Sequence, residues 1–275
     1  MRRVILVLID GLRPDAITPS VMPSLDAFAH TYTLALRATT VRPSTTVAAL
    51  ASLATGVGPA NHRLVEPGLG FLGKLGALRP VARELAKGGV PTDVVSGELA
   101  RGAWPVAQAL AAAAGVRRVI PGGRTPLDAA AAASQILLAG EEQAVFVYLP
   151  DCDRAGHAYG WMSPEYLKAA AAIDVAVGRL SGWVDEALIL FLADHGGGGV
   201  RPEDHDEPHP VNDHIPIIIG GVGATRRHQL TRPVSILDVP ATLLWWYSRP
   251  IPPSYEGRPL AEALSQPARP VEVLA

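Results

Sequence analysis

Short apolar runs that alternate with longer helical stretches constrain the fold of this chain most strongly. Each run is bounded by turn residues, as is typical of strands that are buried on both faces of a sheet. The predicted strands are Val4–Ile9, Asp93–Val95, Val145–Leu149, Leu188–Leu192 and Ile215–Ile219. This alternation predicts an α/β fold, a three-layer sandwich in which helices flank a mostly parallel central sheet.

Helical segments lie between the predicted strands, and several of them are rich in alanine. Ser163 and Pro164 form a typical helix start, with serine as the N-cap and proline at the first helical position. The predicted helices are Val47–Ala54, Val81–Lys87, Val106–Ala114, Leu127–Leu138, Pro164–Leu180 and Ile236–Trp246. No repeat, charge block or long linker interrupts the pattern, so residues 1–275 are predicted to form a single domain.

The composition excludes several classes of protein. A chain of 275 residues with 48% hydrophobic residues can bury a full core, which argues against a disordered protein. The formal net charge of −2 argues against a protein that coats nucleic acid. Cys152 is the single cysteine, so an intrachain disulfide framework and a cysteine-rich zinc module are excluded.

The N-terminal segment resembles the start of a signal peptide but differs from one in length. Its apolar run, Val4–Ile9, ends at Asp10 and is shorter than the apolar core of a signal peptide. No segment approaches the roughly 18 apolar residues of a membrane span. These features predict a cytoplasmic protein that does not insert into a membrane.

Residues 68–73 match the G-x-G-x-x-G pattern, and Lys74 extends the match toward a phosphate-binding loop. Leu75, however, stands where such a loop requires serine or threonine. The preceding segment, Asn61–Pro67, does not have the pattern of a strand. We therefore interpret residues 68–73 as a surface loop rather than a nucleotide site.

Acidic residues follow three of the predicted strands. Asp10 follows the first strand, Asp151 and Asp153 follow the third, and Asp194 follows the fourth. Ligands of open parallel sheets bind outside the carboxyl ends of the strands, where these acids are expected to converge. A single aspartate at such a position is usually a turn residue or a helix cap, but acids at three strand ends together favour a shared site.

Five of the eight histidines lie between positions 157 and 214. His157 is four residues after Asp153, so one helical turn or a tight loop can bring both side chains to one point. Asp194 and His195 are adjacent and precede four glycines, and residues 204–209 contain two more histidines. A lone histidine is usually a structural hydrogen-bonding residue, whereas this combination of imidazoles and carboxylates suits zinc, manganese or iron.

Hydroxyl side chains at Ser44, Thr45 and Thr46 precede the predicted helix Val47–Ala54. Such residues are usually helix N-caps, but a helix N-terminus also favours a bound phosphate. A metal ion lowers the pKa of an oxygen that it binds. A hydroxyl group among metal ligands is therefore the expected nucleophile of a phosphoryl-transfer enzyme.

These motifs together resemble the alkaline phosphatase superfamily, and in particular its type I phosphodiesterase/nucleotide pyrophosphatase branch. The resemblance covers most of the chain, and the order and spacing of its segments make it specific. The matching segments are VILVLIDGLRPD (4–15), RPSTTVAALASLATGVGPANH (42–62), YLPDCDRAGHAYG (148–160), FLADHGGGG (191–199), HIPIIIGG (214–221), ILDVPATL (236–243) and EGRPL (256–260).

The resemblance implies a role for each matching residue. The family's nucleophile precedes a Thr-Gly pair by nine residues, which implies Thr46 rather than Ser44 or Thr45. Two divalent metal ions are implied, with zinc favoured and manganese second. The implied ligands are Asp10, Thr46, Asp194 and His195 for one ion, and Asp153, His157 and His205 for the other. His209 is an alternative to His205, His214 is the least favoured candidate, and Asp151 is implied to be a supporting acid.

Three features depart from the family pattern. The phosphodiesterase branch often has asparagine three residues after the nucleophile, where Ala49 stands here. The family's His-Gly pair is replaced by His62 and Arg63. The chain also lacks room for a large cap domain, so the expectation is one catalytic domain over residues 1–275.

The resemblance implies hydrolysis of phosphodiester or nucleotide pyrophosphate bonds in a small-molecule substrate through a phospho-threonine intermediate. A phosphomonoesterase of the same superfamily and a non-catalytic metal-binding relative remain alternatives. Trp104, Tyr159 and Trp161 are candidates to stack on a nucleobase, or else belong to the core or an interface. The segment 245–247 is expected to pack on the last helix or to support a homo-oligomer.

Overall fold

Strand β1 (Arg3–Ile9) lies at the centre of the sheet, and its apolar side chains are buried on both faces. The computed structural model describes residues 2–66, 78–98, 102–139 and 142–265. The other strands in this part of the chain are β2 (Thr33–Thr39), β3 (Thr92–Ser96), β4 (Arg118–Pro121), β5 (Gln143–Leu149), β6 (Leu188–Leu192), β7 (His214–Gly221) and β8 (His228–Gln229). The five predicted strands are confirmed.

The described strands form one sheet in the order β4-β3-β5-β1-β6-β7-β2-β8. The five strands from β4 to β6 are parallel to one another. Strand β7 runs antiparallel to both β6 and β2, so the sheet is mostly parallel, as expected. Strands β5, β1 and β6 are adjacent, and their carboxyl ends therefore meet at one edge.

The predicted helices are present, with ends shifted by at most three residues. Ser163 accepts a hydrogen bond from the Tyr166 amide (3.2 Å) and caps its helix as predicted. The helices of the described residues are α1 (Pro23–Thr31), α2 (Thr46–Thr55), α3 (Pro59–His62), α4 (Val81–Lys87), α5 (Ala103–Ala113), α6 (Pro126–Leu137), α7 (Asp151–Tyr159), α8 (Pro164–Ser181), α9 (Pro210–Asp213) and α10 (Asp238–Trp246). Short 3-10 helices lie at Pro14–Ala16 and Ala261–Ala263.

Two groups of helices flank the sheet. Helices α1, α6, α7 and α8 pack together in one group, and α2, α4 and α10 form the other. Trp246 and Tyr247 are buried at the end of α10, which supports the packing expected for this segment. The glycine pattern at 68–73 lies outside the described residues. In the part of the chain that the structure describes, no helix has the length and hydropathy that crossing a membrane requires.

Candidate metal centre

Three of the acids that follow predicted strands converge on one imidazole. Asp10 follows β1, Asp194 follows β6, and Asp153 lies in the first turn of α7, shortly after β5. The Nε2 atom of His195 lies 3.2 Å from Oδ1 of Asp10, 3.6 Å from Oδ2 of Asp194 and 3.9 Å from Oδ1 of Asp153. The parallel sheet brings these side chains together because the three strands are neighbours.

Backbone hydrogen bonds at and beside Gly11 connect the segments that carry the three acids. Its amide donates a hydrogen bond to Oδ1 of Asp194 (3.2 Å), and the Asp153 amide donates to the carbonyl oxygen of Asp10 (3.0 Å). Gly11 has a φ of +68°, and a Cβ atom at this position would lie 3.0 Å from Cα of Asp153. Glycine therefore allows both the left-handed backbone and the close approach of α7.

Three histidines have the same orientation relative to the backbone. The Nδ1 atoms of His195, His205 and His157 lie 2.8, 2.8 and 2.9 Å from the carbonyl oxygens of Gly196, Ser44 and Glu203, respectively. A carbonyl oxygen can only accept a hydrogen bond, so each Nδ1 must carry the proton. In the neutral rings this leaves the Nε2 lone pair free, which is the tautomer of metal-bound histidines.

The Nε2 atoms of these histidines face Asp153. Its Oδ1 atom lies 3.4 Å from Nε2 of His157 and 3.8 Å from Nε2 of His205. The rings of His195 and His205 stack with centroids 3.8 Å apart. Asp153 and His157 are close together because both lie on α7, one helical turn apart, as the sequence predicts.

Burial opposes the negative charge of all three acids. Burial and the charge of Asp10 raise the pKa of Asp153 to about 6 and raise the pKa of Asp194 well above its usual range. Burial also acts to raise the pKa of Asp10, but the hydrogen bond and charge of His195 outweigh it, so this pKa lies below its ordinary value. A positive charge between the acids would therefore stabilise their ionised forms.

The histidines respond to the same charges. Burial lowers the pKa of His195, but the carboxylates of Asp194 and Asp10 outweigh it and raise this pKa to about 10. Burial and the positive charge of His195 lower the pKa of His205 to about 4. A protonated His195 ring thus supplies positive charge to the cluster. A divalent cation bound there would supply this charge instead, and His195 would release its proton.

The donor set fits a divalent cation. Among the described residues, Asp10, Asp194 and His195 form one group of potential ligands, and Asp153, His195 and His205 form another. Oδ2 of Asp194 and Oδ1 of Asp153 are buried without a hydrogen-bond partner. Buried carboxylate oxygens of this kind are costly unless they are paired or coordinate a metal. His195 belongs to both groups, although the resemblance assigned it to one ion.

Thr46 is the hydroxyl residue that enters this cluster. Its Oγ1 atom lies 3.1 Å from Nε2 of His195 and 3.5 Å from Oδ1 of Asp10. The neighbouring hydroxyls have other roles, because Thr45 caps α2 and Ser44 donates to the carbonyl oxygen of His205 (2.7 Å). Thr46 is the first residue of α2, so the positive end of the helix dipole lies at its hydroxyl group.

The other histidine candidates lie elsewhere. His209 is the N-cap of α9, where its Nδ1 atom accepts a hydrogen bond from the Val211 amide (3.3 Å). His214 begins β7 and pairs with Thr39 of β2. Of these three histidines, His205 is the one that belongs to a group of potential ligands among the described residues.

The remaining predicted positions surround the centre or lie away from it. Asp151 is the first residue of α7 and belongs to neither ligand group; burial raises its pKa. Trp161 is buried, donates to the carbonyl oxygen of Gly11 (2.9 Å) and packs edge-on against His157. Tyr159 is 62% exposed, and Trp104 lies on α5. Trp161 is thus a wall of the site rather than a free stacking surface.

One feature of the site was not identified from the sequence. The Tyr148 hydroxyl donates a hydrogen bond to Oδ2 of Asp10, and burial and the charge of Asp10 raise the pKa of this tyrosine well above its usual range. The glycines at 196 and 197, two of the four that follow His195 in the sequence, allow close packing, because a Cβ atom there would overlap the Val211 carbonyl oxygen or the Trp161 ring. The sequence alone does not mark Tyr148, because its contact with Asp10 depends on the pairing of β5 with β1.

We expect Tyr148→Phe to weaken binding of Zn²⁺ by about 10- to 100-fold, because the hydroxyl orients the Asp10 carboxylate. Isothermal titration with Zn²⁺ measures this change. Tyr159→Phe, which removes an exposed hydroxyl from the same region, is the matched control and is expected to bind as the unmodified chain does. Equal affinities for the two variants would contradict an orienting role.

Solved structures of other proteins share the fold of this chain. The phosphonate monoester hydrolase SpPMH from Silicibacter pomeroyi superposes with a TM-score of 0.70 at 20% identity, covering 100% of this chain and 78% of that chain. A protein of the alkaline phosphatase superfamily from Vibrio parahaemolyticus superposes with a TM-score of 0.64 at 17% identity, covering 88% of this chain and 65% of that chain. The fold is that of the alkaline phosphatase superfamily.

The family model for type I phosphodiesterase / nucleotide pyrophosphatase matches residues 4–68 and 92–229, and the chain belongs to this family. GPI ethanolamine phosphate transferase 1 of Candida glabrata is 34% identical over 96 residues, which cover 33% of this chain and 10% of the relative. The chain thus matches about a tenth of the length of such curated relatives. The proteins that this chain resembles thus include a hydrolase of phosphonate monoesters and a transferase of ethanolamine phosphate.

Proposed function

We propose that this chain is a metal-dependent hydrolase of phosphate esters, acting on phosphodiester or nucleotide pyrophosphate bonds with Thr46 as the nucleophile. The observation that carries the proposal is the position of the Thr46 hydroxyl, 3.1 Å from Nε2 of His195 and beside the Asp10 carboxylate. An isolated threonine hydroxyl is a weak nucleophile and needs activation. This arrangement supplies acids and imidazoles that suit a cation at that oxygen.

The residues divide the chemistry between them. Asp10, Asp194 and His195 would hold one divalent cation, and Asp153, His157 and His205 would hold a second. Bound cations would lower the pKa of the Thr46 hydroxyl and offset the charge of the phosphate. Thr46 Oγ1 then attacks phosphorus, the bond to the leaving alcohol or nucleotide breaks, and water later cleaves the resulting phospho-threonine.

Ala49 bears on the choice of substrate. This residue is buried in α2, so the amide that often holds the phosphate in phosphodiesterases is replaced by a methyl group. The first backbone N–H groups of α2 begin at Thr46 and are suited to take over part of this role. The substitution keeps phosphate monoester hydrolysis as the second candidate.

A substrate comparison tests the proposal. With Zn²⁺ or Mn²⁺ present, we expect kcat/KM for bis(p-nitrophenyl) phosphate to exceed that for p-nitrophenyl phosphate by about tenfold or more, a difference of the size that site contacts supply. The opposite order would assign the chain as a monoesterase. No turnover of either ester, nor transfer to an added alcohol such as ethanolamine, would favour a non-catalytic metal-binding protein.

A further inference from the structure

His205 is the one candidate ligand that lies neither on a helix nor at the end of a strand. Asp153 and His157 lie on α7, and Asp194 and His195 closely follow the end of β6. His205, in contrast, lies in an irregular segment between β6 and α9. A ligand on such a segment needs other contacts to hold its imidazole in a fixed position.

Ser44 makes two hydrogen bonds with His205, one in each direction. Oγ of Ser44 donates to the carbonyl oxygen of His205 (2.7 Å), and Nδ1 of His205 donates to the carbonyl oxygen of Ser44 (2.8 Å). Both residues are buried, so water competes little for these bonds. The Ser44 hydroxyl thus fixes the backbone at residue 205, while the Ser44 carbonyl group fixes the ring with its Nε2 atom facing Asp153.

Two further contacts hold the segments that carry Ser44 and His205 side by side. The Thr40 amide donates to the carbonyl oxygen of Asp213 (2.9 Å), and the Arg42 guanidinium group pairs with the Asp213 carboxylate. The Arg42 side chain is 41% exposed, so the contact between Ser44 and His205 is the buried part of this interface. Loss of the Ser44 hydroxyl would therefore release His205 while the other contacts keep the segments together.

Ser44 also lies close to the proposed nucleophile. It precedes Thr46 by two residues, and Thr45 between them is the N-cap of α2. The Thr46 hydroxyl lies beside His195, whose ring stacks on that of His205. The nucleophile and His205 are thus held by the same short segment of backbone.

We propose that Ser44 is a positioning residue that fixes the imidazole of His205 relative to Thr46, in the orientation that a cation beside Asp153 requires. This inference rests on the proposed function and adds a positioning residue to it. Ser44 acts through His205, because its hydroxyl group is already bonded to the His205 carbonyl oxygen. Without that hydroxyl, the buried carbonyl group loses this donor and the ring is held less firmly.

The variant Ser44→Ala tests this role through ion binding. Isothermal titration with Zn²⁺ is expected to show two bound ions in the unmodified chain. In Ser44→Ala, the affinity for one of them should fall by about 10- to 100-fold, whereas the ion held by Asp10, Asp194 and His195 should keep its affinity. Unchanged affinities for both ions, or an equal loss of both, would overturn the inference.

The variant Ser52→Ala is the matched control. Ser52 is also fully buried, and its hydroxyl group bonds to Nε2 of His62 (2.9 Å), but neither residue belongs to a group of potential ligands. Both variants should lower the Tm, because each removes a buried hydrogen bond, yet Ser52→Ala should keep both Zn²⁺ affinities. An equal loss of ion binding in Ser52→Ala would assign the effect to destabilisation and overturn the inference.

A second variant covers the case in which Ser44→Ala loses the circular dichroism of the folded protein. Ser44→Cys then replaces it, because the thiol group is a weaker hydrogen-bond donor of similar size. The affinity for one Zn²⁺ ion should again fall while the other is retained. Two unchanged affinities in a folded Ser44→Cys variant would overturn the inference.

A measurement on the metal-free protein separates this inference from the proposed function. Hydrogen exchange of the His205 Nδ1 proton, followed by NMR, should be about tenfold faster in Ser44→Ala than in the unmodified chain. Such a difference would support the role of Ser44 even if the chain binds no second ion and hydrolyses no ester, a result that would contradict the proposed function alone. Equal exchange rates in the two proteins would overturn the inference.

Discussion

Replacing Thr46 with alanine is expected to lower kcat by about 10⁴-fold or more, because the attacking oxygen is removed. The proposed cation ligands after β1, after β6 and on α7 remain, so the metal content of the protein should be unchanged. The measurement is the hydrolysis rate of bis(p-nitrophenyl) phosphate together with metal analysis of the same sample. Activity equal to that of the unmodified chain would exclude Thr46 as the nucleophile.

Thr45→Ala is the matched control for this variant. The Thr45 hydroxyl caps α2 by accepting a hydrogen bond from the Ala48 amide (3.5 Å), so its loss should reduce the free energy of unfolding by about 1 kcal/mol. Its catalytic rate should remain close to that of the unmodified chain. Thr46→Ser, which keeps a hydroxyl group, should retain measurable turnover and form a covalent phosphoserine detectable by mass spectrometry.

Asp194→Asn is expected to abolish high-affinity metal binding and turnover while it stabilises the metal-free protein. Burial and the charge of Asp10 raise the pKa of Asp194 well above its usual range, so its ionised form is unfavourable in the folded state. Because this folded-state pKa is raised, the penalty is absent at low pH and grows as the pH rises above the pKa of the unfolded state. Near neutral pH, the neutral amide should raise the Tm of the metal-free protein by roughly 2–4 °C, which corresponds to about 1 kcal/mol.

Asp93→Asn is the control for Asp194→Asn, since both aspartates are fully buried. Burial acts to raise the pKa of Asp93, but hydrogen bonds from Arg117 and Arg118 outweigh it and lower this pKa. Neutralising Asp93 should therefore lower the Tm, a change of opposite sign. Differential scanning calorimetry in a chelating buffer measures both variants, and a lower Tm for Asp194→Asn would contradict the assignment of Asp194 as an acid held for a cation.

The convergence of the acids could be predicted from the sequence because it depends on strand direction alone. Runs that are apolar on both faces predict parallel buried strands, and parallel strands place the residues after Ile9, Leu149 and Leu192 at one edge. The spacing of Asp153 and His157 predicted their contact in the same way, since one helical turn brings them together. These inferences needed no knowledge of distant contacts.

Other elements could not be predicted because distant contacts determine them. Strand β2 mixes threonine, alanine and arginine, and it is positioned by pairing with β7, whose residues lie about 180 positions later in the chain. The Nδ1 partners of the histidines are carbonyl groups of Ser44, Gly196 and Glu203, and backbone atoms carry no sequence signal. Tyr148 reads as an ordinary apolar strand residue until the register with β1 is known.

Gly11 influences the size of the candidate cation site because it has no side chain beyond a hydrogen atom. Because the backbone of Asp153 approaches this position so closely, a larger residue there would push α7 away from the end of β1. The spacing between the carboxylates of Asp10 and Asp153 therefore depends on Gly11, which has no side chain to bind a cation. The ionic radius that the site accepts therefore depends on the backbone around Gly11 as well as on the ligands themselves.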